Sequence, residues 1–82
     1  MYKTEILGGI YLAGVDLPTG VVGLEVTPVS DYVSYYGVNT DLKSLRALQE
    51  LRDKTYIELH EGEFVLVELD NDDQRVIVTK IR

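Results

Sequence analysis

The chain has 82 residues, 45% of them hydrophobic and 27% charged, with a formal net charge of -6. So short a chain can enclose only one core, which makes residues 1–82 a single domain, and its apolar content is too high for a disordered polymer of that charge. Fourteen acidic residues against eight basic ones argue against direct nucleic-acid binding, which takes its affinity from clustered cations.

In chain order, residues 2–7 read as a first strand and Gly8-Gly9 as a bend or bulge. Residues 10–15 and 21–27 are apolar runs on either side of Asp16-Leu17-Pro18-Thr19-Gly20, whose Pro and Gly suit the turn of an N-terminal β-hairpin. Pro28 then holds Thr27 extended and ends it. Residues 40–54 read as the one helix: Asn39, Thr40 and Asp41 offer N-cap oxygens, Arg52 and Lys54 lie near the C-terminal end, and Arg46 with Glu50 and Glu50 with Lys54 stand at i,i+4. Beyond Thr55 the period shortens to two, and residues 56–60, 63–69 and 75–81 form an expected three-strand antiparallel meander. The expected fold class is α+β: a small antiparallel sheet or strongly curved partial barrel, with the helix closing one sheet face or plugging the barrel.

The residues that carry chemistry are few. With no Cys, neither a disulfide framework nor a thiolate zinc site is available. His60 is the only imidazole, so any Ser-His-Asp arrangement would have to be built on it. Gly8 to Gly14 lacks the Lys-Ser or Lys-Thr of a phosphate loop. Glu58 and His60 would share a strand face near Glu61 and Glu63, yet two ligands fall short of the three or four that zinc takes. Asp70, Asp72 and Gln74 imitate the opening of a calcium loop, but Arg75 stands where its glycine belongs and no Glu closes it. The expectation is a protein without catalytic residues, metal or cofactor.

Three features are suited to recognition instead. Glu58, Glu61, Glu63, Glu68, Asp70, Asp72 and Asp73 are seven acidic residues in a stretch without Lys or Arg, readable as an edge that imitates phosphates or as charge that keeps an edge strand soluble. Tyr32, Tyr35 and Tyr36 place three of the six tyrosines in one connection, either as a contact loop or as core-edge packing. Leu42, Leu45, Leu48 and Leu51 would fan across half of the expected helix, readable as one flank covering the sheet while the other, with Leu42, Leu45 and Leu48, meets a partner or a second copy, or as four leucines all buried by a concave sheet.

These features make the expected function that of a small acidic protein-binding module, an inhibitor or adaptor occupying a partner protein's surface, using the acidic residues and the tyrosines. A structural protein that oligomerises through leucines or strand edges, as a homodimer for instance, is the alternative, and a tyrosine-lined small-ligand pocket a weaker one. The longest apolar runs are far shorter than the roughly 20 residues of a membrane helix, and Met1 opens onto Tyr2-Lys3-Thr4-Glu5, so no membrane association and a cytoplasmic location are expected.

Overall fold

A computed structural model describes residues 2–29, 32–45, 48–51 and 54–82. Among them the chain forms β1 Lys3–Ile6, β2 Gly9–Leu12, β3 Gly20–Thr27, β4 Ser34–Asn39, β5 Gln49–Leu51, β6 Lys54–Leu59, β7 Phe64–Glu68 and β8 Arg75–Lys80, with a short 3-10 turn at Leu42–Ser44. All strand pairs are antiparallel and build two four-stranded sheets, ordered β1-β8-β3-β6 and β2-β7-β4-β5.

The strands alternate inward apolar and outward polar or mixed residues, as two face-to-face sheets require. From the first sheet, Ile6, Val22, Leu24, Val26, Leu59, Val76 and Val78 enter the core; from the second, Tyr36, Leu51, Val65 and Val67 do, while Ala13 and Leu17 are buried with them. The chain passes from the first sheet to the second at Leu7-Gly8, where the Tyr11 hydroxyl donates to the Leu7 carbonyl at 2.6 Å.

This all-β architecture corrects the α+β expectation. Among the described residues of the 40–54 segment no α-helix forms: Asp41 does cap, its Oδ1 accepting the Lys43 N–H at 3.0 Å, but at Leu45 ψ is 49° and the helical path ends. Isolated helical turns are marginal without a packed face, and here the segment is drawn into sheet pairing, with Gln49–Leu51 lying antiparallel to β4. Leu51 enters the core from a strand, Leu45 is buried, Leu48 is half-buried and Leu42 is exposed, so the leucines do not form a helical stripe. Arg46, Ala47, Arg52 and Asp53, which the expected helix included, lie outside the described residues.

The N-terminal hairpin is also replaced. β2 pairs with β7 and β3 with β6 and β8, so the connection between β2 and β3 crosses between the sheets. A closed loop redirects the chain there: the Asp16 carboxylate accepts the Leu12 N–H at 2.8 Å, and the N–H groups of Val15, Asp16 and Leu17 converge on the Leu12 carbonyl. The C-terminal meander is corrected in the same way, because β7 lies in the sheet opposite β6 and β8. The eight-residue β3 is the organiser, taking β6 on one side and β8 on the other while burying Val22, Leu24 and Val26.

Two buried polar residues have contrasting roles. Gln74, 1% exposed, accepts the N–H groups of Asp70 (3.0 Å) and Asn71 (3.4 Å) on Oε1 and donates from Nε2 to the carbonyl of Pro28 (3.1 Å), tying the β7–β8 turn to the segment after β3. The Thr27–Pro28 peptide there is cis. The Ser34 hydroxyl, by contrast, is buried without a hydrogen-bond partner among the described residues. Removing an unsatisfied hydroxyl relieves a desolvation cost, so Ser34→Ala is expected to leave stability unchanged or raise it by up to about 1 kcal/mol in urea unfolding. A clear loss would show that the hydroxyl has a partner in solution.

Candidate functional site: an outward sheet face and two acidic turns

The second sheet turns an apolar surface away from the core. The register sets Ile10 beside Leu66 and Leu66 beside Gly37, Leu12 beside Phe64 and Phe64 beside Asn39, and Tyr35 between Glu68 and Glu50. These residues alternate with the inward Tyr11, Val65, Val67 and Tyr36, which places them on the outward face. Ile10 is 55% exposed and Tyr35 39%, while Leu12, Phe64 and Leu66 are half-buried. The result is a connected apolar strip across β2, β7 and β4 with a tyrosine and acidic side chains at one end.

The acidic residues singled out in the sequence divide between the two ends of β7. At one end, Glu58 is exposed on β6 with its Oε1 3.4 Å from His60 Nε2, and Glu61 is exposed in the following turn. Glu63 is half-buried, and its Oε1 accepts the His60 N–H at 2.6 Å, closing that turn. At the other end, Glu68 is exposed opposite Tyr35, and Asp70, Asp72 and Asp73 are exposed in the β7–β8 turn. That turn is braced from within: Asn71 Oδ1 accepts the Asp73 N–H at 3.0 Å, and Arg75 Nη1 donates to the carbonyls of Asp72 (2.9 Å) and Gln74 (2.8 Å). At about 3.4 Å per residue, the two acidic groups stand roughly 20 Å apart along β7.

The three tyrosines separate as well. Tyr32 precedes β4 and is 73% exposed, Tyr35 points outward from β4, and Tyr36 is in the core with its hydroxyl donating to Gln49 Oε1 at 3.0 Å. The structure therefore brings together Tyr35 and Glu68 and leaves Tyr36 as packing. Sequence reasoning missed Ile10, Leu12, Phe64 and Leu66 as one surface. Each alternates with a core residue on its own strand, but only the pairing of β2 with β7 makes them neighbours.

Glu58 and His60 are two candidate ligands, and no group of three or more His, Asp or Glu arranged to hold a metal ion occurs among the described residues. A depression of about 370 Å³ is lined by Leu7, Gly8, Leu69, Asn71, Asp72 and Arg75, and a second of about 230 Å³ by residues that include Lys54 and Tyr56. Among the described residues no helix is long and apolar enough to cross a membrane. No family model matches the chain, and no curated protein or solved structure matches it either.

Proposed function

We propose that this chain is a small protein-binding module that presents the outward face of its second sheet to a partner with an apolar surface edged by cations. The observation that carries this reading is the strip of Ile10, Leu12, Phe64 and Leu66, side by side on a face the core does not use. Apolar side chains clustered on a sheet face and rimmed by charge are the usual make-up of a contact surface. Tyr35 adds a broad ring at the rim, and Glu68 beside it sets the sign of the complementary charge. The net charge of -6 favours a basic partner through long-range attraction.

The test is side-by-side capture from native lysate with the unaltered chain and two variants. Ile10→Asp should lose the captured protein, the effect of a central apolar contact being about 2 kcal/mol or more, roughly thirtyfold in affinity. Glu68→Lys should retain it with weaker salt dependence. Equal retention by the unaltered chain and Ile10→Asp, with both folded by circular dichroism, would overturn the assignment of this face.

A further inference from the structure

We propose that β6 is a self-pairing edge, and that two copies of this chain join antiparallel along it, about a two-fold axis at Tyr56, to make one continuous sheet. The inference is independent of the partner-binding face, which belongs to the other sheet.

Among the described residues β6 is an end strand of its sheet, with β3 as its one neighbour there. The direction of its main-chain groups follows from the opposite side of β3. Val21 donates its N–H to the Arg82 carbonyl at 2.8 Å and accepts from the N–H groups of Ile81 (2.8 Å) and Arg82 (3.2 Å), so both its polar groups face the β8 side. In an antiparallel ladder a residue that faces one neighbour does not face the other. Val21 and Glu58, which stand opposite each other, are therefore a non-hydrogen-bonded pair, and the N–H and C=O of Glu58 point away from β3. With the period of two, Tyr56 and Lys54 point the same way.

An antiparallel mate centred on Tyr56 sets Lys54 opposite Glu58 of the second copy, Tyr56 opposite Tyr56, and Glu58 opposite Lys54. All three are hydrogen-bonded pairs in this register, and their side chains share the outward face, where each is exposed. Opposite charges and facing aromatic rings are favourable cross-strand pairs. On the inward face Thr55 meets Ile57 of the second copy, and Ile57, only half-buried against the core in one copy, gains cover. Exposed edges are commonly guarded by charges that repel a second strand. Here the charges attract in the register that pairs Lys54, Tyr56 and Glu58 among themselves, and a slip of two residues breaks both ion pairs. β1, the other end strand, directs only Lys3 and Glu5 outward by the same reasoning, since Thr79, opposite Lys3, faces β3. It has no aromatic residue between them.

So narrow an interface yields a concentration-dependent dimer. Sedimentation velocity of the full chain should show the mass rising toward the dimer at high-micromolar concentration. Glu58→Lys and Lys54→Glu should each weaken self-association at least tenfold, because each gives the edge one sign of charge throughout. An equimolar mixture of the two variants should dimerise again, the two edges now being opposite in sign. Circular dichroism at low concentration checks that both remain folded; Glu58→Gln and Lys54→Gln, which neutralise without reversing, replace a reversal that unfolds the chain. An unaltered chain that stays monomeric, single variants that dimerise as it does, or a mixture that stays monomeric would each overturn the proposal. Partner capture by the monomeric variants separates this outcome from the fate of the binding face.

Discussion

Gln74→Leu should lower the stability of the domain by about 3 kcal/mol, which for a domain of this size corresponds to a drop in Tm of roughly 12–24 °C. Leucine fills nearly the same volume, so the loss isolates the polar contacts. The Asp70 and Asn71 N–H groups and the Pro28 carbonyl each lose the Gln74 side chain as a partner, at about 1 kcal/mol apiece. Gln74→Glu provides a sharper version. The carboxylate keeps two acceptor bonds but faces the Pro28 carbonyl with no proton to donate, near Asp70, Asp72 and Asp73. Burial and neighbouring negative charge raise such a carboxyl's pKa in the folded state, so the deficit is present above that pKa and shrinks as the pH falls through it. Thermal unfolding across pH measures both. A Gln74→Leu melt within a degree or two of the unaltered chain would show that water satisfies these groups and that the tie between the turn and Pro28 contributes little.

Gly20→Ala should cost about 2–4 kcal/mol, by two additive routes. Gly20 has φ of 102°, which an L side chain adopts only under strain, and a Cβ placed there collides with the main-chain oxygen of Arg82. Relief requires the C-terminal residues to move, which breaks the hydrogen bonds between Val21 and the Ile81–Arg82 segment. Gly62 has a similar φ of 89° but no atom within 4 Å of its added Cβ, so Gly62→Ala should show the strain alone, about 1–2 kcal/mol. Deleting Arg82 from the Gly20→Ala variant should bring its cost down to that of Gly62→Ala. Equal costs for the two single substitutions in urea unfolding would show that the C-terminus gives way freely.

Much of the β content was legible because alternation is a local signal. Residues 2–7, 63–69 and 75–81 contain β1, β7 and β8, and residues 21–27 cover all of β3 but Gly20. The 40–54 segment misled for an equally local reason. Asp41, the spaced leucines and the i,i+4 charges are all helix signals, and Asp41 does cap a turn, but Leu51 enters the core from a strand beside β4, a pairing that no local signal reports. The candidate site was half visible. Tyr35 and Glu68 were singled out, whereas Ile10 and Leu66, 56 positions apart, become neighbours only through the pairing of β2 with β7.

The amino-acid sequence by itself determined that there is one core, that the surface is acidic, that reactive side chains are scarce, and which stretches favour extended backbone. Which strands lie side by side was decided by tertiary structure alone. It split consecutive strands β6, β7 and β8 between two sheets, separated one acidic run into two turns, and assembled an apolar face from strands distant in the chain. The physical reason is that side-chain period is a property of neighbouring residues, whereas strand pairing selects among distant segments by the cover each gives the common core.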